Sequence, residues 1–264
     1  MGYVPERFWE ERYSQFDLSR SGHRDLPEPY NRWLYRRKRA VLRRELARAG
    51  FDARGKRIVE LGIGTGAYMG MWQALQVRSV TGLDISRAAS AFAQAKYPQL
   101  KVLCRDVTEP GLAADVGTDA DLVAALDVLY HVVDDSSLTE LLRNVRAVLR
   151  PGGMLAFHDQ FLHRPTEDHG YIRWRSLDDW HGALATAGFS VVSRTPIFFS
   201  MLQANDCATR SAAARLDSIW ATIHPWIWRL PRVAGAALYA IDTLLGATRG
   251  EGPSMELLLA QRES

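Results

Sequence analysis

Apolar and polar positions follow a repeating order along most of the chain. From Gly55 onward, short apolar runs alternate with amphipathic stretches of helical spacing, joined by short connections. This pattern is typical of strand–helix units in a parallel, doubly wound α/β sheet. Helices are predicted near 67–76, 86–97, 136–149 and 177–187. Strands are predicted near 57–61, 79–84, 100–105, 120–127, 153–159, 189–199 and 254–261.

The same pattern divides the chain into four parts. A helical N-terminal cap precedes the α/β core, and a polar loop at Gly22–Pro29 splits the cap into two helices. A helical insertion interrupts the core before its last strand. The boundaries are 1–54 for the cap, 55–199 for the core, 200–253 for the insertion and 254–264 for the final strand. The aromatic residues of the cap are Phe8, Trp9, Tyr13, Phe16, Tyr30, Trp33 and Tyr35.

The insertion is rich in tryptophan and contains one long apolar segment, Val233–Ala247. This segment has 15 residues and includes Asp242, so it is too short and too polar to span a bilayer. Its aromatic and apolar content exceeds what a simple connection needs. We interpret the insertion as a helical lid over the substrate site, the alternative being a helical pair that covers the edge of the sheet.

A glycine loop carries the most specific chemical signal. The strand Arg57–Leu61 runs directly into Gly62, Gly64 and Gly66, which let a ligand lie against bare backbone. The helix that follows directs its amides at that ligand. Asp84 ends the next strand, where its carboxylate can accept hydrogen bonds from both hydroxyls of a ribose. These residues predict an adenosine-type cofactor, although the glycines alone also fit a dinucleotide site.

Three further features favour a cofactor other than a dinucleotide. Glu60 places a carboxylate beside the loop, where a pyrophosphate would be repelled. Asp106 follows the third strand and is suited to accept a hydrogen bond from an adenine amino group. The segment Leu149–Gly153 ends a helix and turns into a strand.

With these features in this order, the chain resembles the class I S-adenosylmethionine (SAM)-dependent methyltransferases. The matching segments are Glu60–Gly66, Gly82–Ser86, Asp106, Leu126–His131 and Leu149–Gly153. The resemblance implies a Rossmann-like, seven-stranded sheet whose final two strands form an antiparallel hairpin. It implies SAM as the cofactor and S-adenosylhomocysteine as its product. The cofactor contacts that it implies are Glu60, Gly62, Gly64, Gly66, Asp84, Ile85, Asp106, Val107 and Leu126.

Methyl transfer is an in-line displacement, and a hydroxyl acceptor also needs a base to remove its proton. His131 follows the fourth strand, which lies beside the methionine half of the cofactor in the resembled family, and we rank it first as this base. His169, in a polar loop that follows the fifth strand, ranks second. Successive residues of a strand face opposite ways, so His158 and Asp159 cannot both face the site. We expect Asp159 to line the pocket and support the base.

Neither the histidines and acid near the fifth strand nor the two cysteines predict a metal site. The cluster of His158, Asp159 and His163 offers one carboxylate, whereas magnesium prefers several oxygen ligands. The two cysteines, Cys104 and Cys207, have no metal-ligand spacing, and Cys104 is expected to be a small core residue of a buried strand.

The basic residues are unevenly distributed, although the net charge of +3 is too small to identify a nucleic-acid partner. The segment from Arg32 to Arg48 is predicted to be an amphipathic helix and contains eight basic residues but only one acid, Glu45. We interpret them as a solvated face, the alternative being attraction of an anionic acceptor, a lipid surface or RNA. Residues 1–8 carry Pro5 and charges instead of an apolar run, so we expect no signal peptide and a cytoplasmic location.

The predicted activity is methylation of a small molecule, such as a sugar, lipid or secondary metabolite, with oxygen as the preferred acceptor. The aromatic cap and insertion supply an apolar pocket for it. An anionic or amphipathic acceptor suits the basic helix. The alternatives are carbon methylation of a natural-product or isoprenoid-like acceptor, an RNA methyltransferase, and a SAM-binding protein that does not methylate.

Overall fold

The computed structural model describes residues 3–13, 22, 23, 25–206 and 210–264, without the side chains of residues 210–213. Phe16 and Cys207, which the sequence analysis considered, lie outside these residues. The helices are α1 Pro5–Arg12, α2 Glu28–Arg48, α3 Met69–Ala74, α4 Arg87–Lys96, α5 Leu112–Val116, α6 Asp135–Val148, α7 Leu177–Thr186, α8 Arg210–Arg229 and α9 Pro231–Thr248. The strands are β1 Arg57–Leu61, β2 Ser79–Asp84, β3 Lys101–Cys104, β4 Ala120–Ala125, β5 Leu149–Asp159, β6 Glu167–Asp168, β7 Arg173–Trp174, β8 Phe189–Pro196 and β9 Glu256–Arg262.

Seven of these strands form one mixed sheet in the order β3-β2-β1-β4-β5-β9-β8. The first five are parallel, and β9 runs antiparallel to both β5 and β8. Every residue of the central strand β4 is buried, as expected for a sheet with apolar layers on both faces. The predicted Rossmann-like, seven-stranded α/β fold, including its final antiparallel hairpin, is therefore confirmed.

Local sequence explains where several helices begin. The side chains of Ser86, Asp134 and Ser176 each accept a hydrogen bond from a backbone amide in the first turn of α4, α6 and α7. Such caps satisfy amides that have no partner within the helix. Since Ser86 lies two residues after Asp84, the cap of α4 also fixes the chain that leaves β2, beside the predicted ribose position.

One prediction about the core is wrong. Cys104 is exposed, because β3 is the edge strand of the sheet and only two of its residues are even partly covered. A short edge strand has a solvent-facing side that its apolar run does not reveal.

The basic helix α2 is not simply a solvated face. Arg37 is 2% exposed, and its guanidinium donates to the carbonyl oxygens of Ile197 and Asp242 at 2.9 and 2.8 Å. Lys38 is 8% exposed and points into the molecule. Arg44 and Arg48 both pair with Glu45, the buried acid of the helix. The interpretation as a solvated face is therefore wrong for the central part of α2, which is buried between the sheet and α9.

The insertion forms the helices α8 and α9, and α9 packs along α2. Asp242 anchors it: the carboxylate is fully buried and accepts hydrogen bonds from the amides of Phe199 and Ser200 at 2.9 and 2.8 Å. The insertion was expected to form a lid over the substrate site, but its helix α9 covers α2 instead. Two cavities lie at the carboxyl edge of the sheet, and of the described insertion residues Leu202 is the one that lines the larger cavity. Within the described ranges, no helix is long and apolar enough to cross a membrane.

Candidate functional site

The glycine loop follows β1 at the carboxyl edge of the sheet, where open α/β sheets bind ligands. Gly62 and Gly64 have φ values of +66° and +50°, a region that side chains strongly disfavour. A Cβ on Gly62 would lie 2.4 Å from Val128, and one on Gly64 would lie 2.6 Å from the hydroxyl of Tyr13. The loop therefore needs glycine both for its conformation and for the close approach of its neighbours.

Asp84 is positioned by this loop and by the start of α4. Its carboxylate accepts hydrogen bonds from the amides of Gly64 and Ser86, each at 2.9 Å. Burial raises the pKa of Asp84 to about 6, against the lowering effect of these two amides. The carboxylate is thus held rigidly at the end of β2 and is ionised above that pH.

Two cavities open at this edge of the sheet and meet beside the loop. The smaller, of about 300 Å³, is lined by Asp84, Ile85, Asp106 and Val107, four of the predicted cofactor residues. The larger, of about 560 Å³, is lined by Gly64 and Leu126 among others. The residues common to both cavities are Trp9, Tyr13, Gly62, Asp127 and His131. A ligand that extends from one cavity into the other would pass these five residues.

Two predicted cofactor residues line neither cavity. Glu60 is 2% exposed and accepts a hydrogen bond from the indole of Trp72 at 2.6 Å. Burial raises its pKa to about 8, although the indole opposes this shift. Gly66 lines a different groove on the outer side of the loop, with Tyr97 against it. Both residues therefore support the loop on the side that faces away from the two cavities.

The short helix α1 contributes walls to both cavities. The carboxylate of Glu10 accepts hydrogen bonds from the hydroxyl of Ser86 at 2.6 Å and the amide of Ala88 at 3.2 Å, which fixes α1 to the start of α4. Trp9 then lies edge-on to the ring of His131, with 4.7 Å between their centroids. The described part of the N-terminal segment therefore supplies site residues and is not only an outer cover.

His131 lies at the junction of the two cavities. Its Nδ1 is 2.9 Å from the carbonyl oxygen of Tyr171, and the two rings stack 5.8 Å apart. Because a carbonyl can only accept, Nδ1 must carry the proton, which leaves Nε2 as the acceptor. Burial lowers the pKa of His131 to about 4, against the influence of that carbonyl, so the ring is neutral near pH 7.

Asp127 is the central charge of the site. The Lys38 ammonium lies 2.7 Å from each of its carboxylate oxygens, and His158 Nδ1 lies 3.4 Å from one of them. Burial alone would raise the pKa of Asp127, but the Lys38 charge and the His158 contact outweigh it and hold the pKa below its usual range. A fixed pair of opposite charges therefore lies between the cavities.

The structure places the other two base candidates away from the cavities. Asp159 is fully buried but lines neither of them, and burial raises its pKa well above the usual value. His158, the other member of the alternating pair, faces Asp127, so the expectation that Asp159 lines the pocket is wrong. His169 follows β6, where its half-exposed ring pairs with Glu167, 3.4 Å away, and it lines neither cavity.

Sequence reasoning gave no individual role to four contributors to the site: Trp9, Lys38, Asp127 and Tyr171. Asp127 lies inside a motif segment, directly before Val128, and a carboxylate at the end of a central strand was an available signal. Lys38 was hidden among seven other basic residues of one helix. No local pattern connects Trp9 or Tyr171 to the sheet, because their positions depend on tertiary contacts.

Comparisons with known proteins agree with this geometry. The model of a methyltransferase domain family matches residues 30–195, which is more than half of the chain. The ubiquinone biosynthesis O-methyltransferase of Pseudomonas putida strain F1 is 32% identical over 105 residues, which cover 39% of this chain and 44% of that protein.

Solved structures share the fold at low identity. A putative sarcosine dimethylglycine methyltransferase from Galdieria sulphuraria matches with a TM-score of 0.58 and 15% identity over 98% of both chains. The [4+2]-cyclase SpnF matches with a TM-score of 0.53 and 18% identity over 85% of this chain and 80% of that one. Together with the family match, the glycine loop and the acids that follow β2 and β3 establish that the chain belongs to the class I SAM-dependent methyltransferases.

Proposed function

We propose that this methyltransferase transfers the methyl group of SAM to a hydroxyl oxygen of a small planar molecule bound in the larger cavity. The observation that carries the proposal is the position of His131, which lines both cavities and presents an unprotonated Nε2. A base at that junction is within reach of an acceptor in one cavity and of a methyl donor that extends from the other.

The smaller cavity suits the adenosine half of SAM. Asp84 offers a buried, ionised carboxylate for the ribose hydroxyls, and Asp106 offers an acceptor for the adenine amino group. Ile85 and Val107 supply apolar walls for the adenine ring. The methionine half then passes Gly62 and Gly64, where the backbone is bare.

SAM supplies the electrophilic methyl group. The new bond joins the acceptor oxygen to that methyl carbon, the bond from carbon to sulfur breaks, and the acceptor proton goes to His131 Nε2. Tyr171 and Trp9 hold the imidazole in place, and because the pKa of His131 is about 4, far below that of a hydroxyl, we expect orientation to supply more of the rate enhancement than basicity does.

The chemistry of the larger cavity favours a planar acceptor with hydroxyl or phenolate groups. Its walls combine aromatic rings with the cation Arg12, while Lys38 is paired with Asp127 and a second acid, Asp25, also lines the cavity. Rings of this kind stack on planar molecules, and cations bind carboxylate or phenolate oxygens. The aromatic walls are Trp9, Tyr13, Tyr35, Tyr68, Tyr130 and Tyr171. The partial similarity to an O-methyltransferase of ubiquinone biosynthesis supports oxygen as the methylated atom.

The experiment is a labelled-methyl assay. The protein is incubated with methyl-labelled SAM and a small-molecule extract of its host, and the product is identified by mass spectrometry and NMR. We expect an O-methyl product whose formation requires the protein, and Gly64→Val serves as the control that lacks cofactor binding. A labelled carbon or nitrogen atom, labelled RNA in a parallel incubation, or cofactor binding without transfer to any acceptor would contradict the proposal.

A further inference from the structure

The outer face of α9 is apolar along its whole length. Its most exposed large side chains are Val233, Ile241 and Leu244, at 63%, 45% and 73% exposure. They recur at the spacing of one helical face. Exposed alanines fill the same face at positions 236, 237, 240 and 247. Asp242, the one charged residue between Arg232 and Arg249, points to the opposite side and is fully buried. Helices of this kind normally cover a core with their apolar side, whereas α9 exposes an apolar stripe as well.

The end of α8 extends this stripe with two tryptophans. Trp226 and Trp228 are 55% and 53% exposed, and Leu230, at the turn into α9, is 49% exposed. Trp226 and Trp228 flank the buried Ile227, so exposed apolar side chains are concentrated at this end of the hairpin, as is typical of a place where something binds. Tryptophan is also the residue that concentrates at the boundary between lipid and water. We call the exposed side chains of Trp226, Trp228, Leu230, Val233, Ile241 and Leu244 the apolar stripe.

Positive charge surrounds the stripe. Arg229, Arg232 and Arg249 are exposed at its two ends. From Ser218 to Gly250 the sequence contains one acid, the buried Asp242. The surface of this hairpin therefore combines apolar residues with cations and presents no carboxylate between those two positions.

A basic groove lies beside α9. It has a volume of about 700 Å³, and its charged lining consists of Arg36, Arg39, Arg43 and Lys96, with no acidic residue. Tyr239 of α9 forms one wall, with the Arg36 guanidinium 5.4 Å from its ring centre. Because Tyr239 follows Ala236 by three residues, it lies on the flank of α9 next to the stripe. Four cations around one concave surface suit phosphate oxygens.

We propose that the α8–α9 hairpin docks this enzyme on an anionic phospholipid bilayer. The apolar stripe lies in the interface, and the basic groove binds headgroup phosphates. Neither helix can cross the bilayer, so the expected arrangement is a helix parallel to the surface with its apolar side inserted. This inference goes beyond the proposed methylation and does not depend on which atom is methylated.

Charge decides between a bilayer and a second copy of the chain. In a symmetric dimer through the stripe, the arginines at the ends of one hairpin would meet those of its partner, and the exposed acid nearest to Arg249 in sequence, Glu251, is already paired with Arg194. An anionic membrane offers opposite charge to the same arginines and to the groove. The surroundings of the stripe therefore favour lipid.

The test is sedimentation of the full chain with vesicles. We expect binding to vesicles of phosphatidylcholine with phosphatidylglycerol, with much weaker binding to phosphatidylcholine alone and in high salt. The double substitution Val233→Glu with Leu244→Glu should weaken binding about tenfold or more, because it places charges in the inserted face. Its matched control is Val192→Glu, which changes an exposed valine of β8, 44% exposed, and should leave binding intact.

A second pair of variants tests the groove. Arg43→Glu should weaken binding to the anionic vesicles several-fold, whereas Arg54→Glu, at an exposed position outside the groove, should not. SAM affinity and the thermal midpoint, measured on each variant, should match the unsubstituted protein and so separate lost docking from lost folding. If a variant does not fold, hydrogen exchange of the unsubstituted protein provides the same test, with new protection expected at residues 226–247 on anionic vesicles.

Two results would overturn the proposal. One is equal vesicle binding by the unsubstituted protein and the double variant, or no binding by either. The other is a dimer in solution that the double variant dissociates while vesicles have no effect, which would assign the stripe to a second copy of the chain.

Discussion

Lys38 of α2 places its ammonium 2.7 Å from both carboxylate oxygens of Asp127, which follows β4. The two side chains are 10% and 13% exposed, so this ion pair is shielded from bulk water. Asp127 also has a φ of +67°, a backbone conformation that non-glycine residues rarely adopt. The pair thus joins the N-terminal segment to the carboxyl edge of the sheet, between the two cavities.

Removing Lys38 should be costly, because Asp127 would be left as a buried, unpaired charge. We expect Lys38→Ala to lower the free energy of unfolding by about 3–5 kcal/mol in a urea titration. The matched control is Lys56→Ala, since Lys56 is 36% exposed and pairs with Asp121 at 3.3 Å. That change should cost about 1 kcal/mol or less. Equal losses for the two variants would show that burial does not strengthen the dependence on Lys38.

Asp84 should make SAM binding depend on pH. Its pKa is about 6, and the ribose hydroxyls donate best to an ionised carboxylate, so affinity should be constant above pH 7 and fall as the pH drops below 6. Calorimetry from pH 5 to 8 measures this dependence. Asp84→Ala should weaken binding by about 2 kcal/mol or more. Asp84→Asn should bind weakly with no such pH dependence, and an unchanged affinity of the unsubstituted protein at pH 5 would contradict the ribose assignment.

Gly64 should tolerate no side chain. A valine there would have to adopt a φ near +50° and would collide with the Tyr13 hydroxyl, 2.6 Å from the new Cβ. We expect Gly64→Val to abolish SAM binding. Gly70→Ala is the control, because that helical position has open space around it and alanine favours helix. Retention of SAM affinity by Gly64→Val would contradict the assigned path of the cofactor.

Glu60 should reduce stability as the pH rises. Its pKa is about 8 in the folded protein, well above that of an unfolded glutamate. Between pH 4.5 and 8 the folded state holds a proton that the unfolded chain has lost, so the free energy of unfolding should fall by up to about 1.4 kcal/mol per pH unit. Glu60→Gln should reduce this slope and raise the thermal midpoint at pH 8, while the buried Asp84 and Asp159, whose pKa values are also raised, keep their own contributions. A slope that is unchanged in Glu60→Gln would assign it to those groups.

The local pattern predicted the fold well where a glycine or a charged residue clearly marks the end of an element. The bounds of β1 and β2 agree with the predicted ranges to the residue, because each strand is an apolar run that ends at a glycine or an acid. The predicted α7 and its neighbour β8 likewise follow from helical spacing that ends at Gly188. The hairpin of β6 and β7 was not predicted, since two-residue strands leave no periodic signal.

Contacts between residues that are far apart in the chain could not be predicted from local sequence patterns. Lys38 and Asp127 are 89 residues apart, and no local pattern relates α2 to the end of β4. Alternation along β5 indicated that His158 and Asp159 face opposite ways, but which one faces Asp127 depends on the register of the strand within the sheet. The exposure of Cys104 depends on strand order, which a run of apolar residues does not encode.

The measurement that tests the account most directly is the methyl-transfer rate of His131 variants with SAM saturating. His131→Ala should lower this rate about a hundredfold or more, with SAM affinity nearly unchanged. His131→Asn can still donate to the Tyr171 carbonyl but has no basic nitrogen, so it should be equally slow. His169→Ala, whose ring lies outside both cavities, should keep full turnover. Near-normal turnover by His131→Ala and His131→Asn across pH would contradict the assignment of the base and favour an acceptor that needs none.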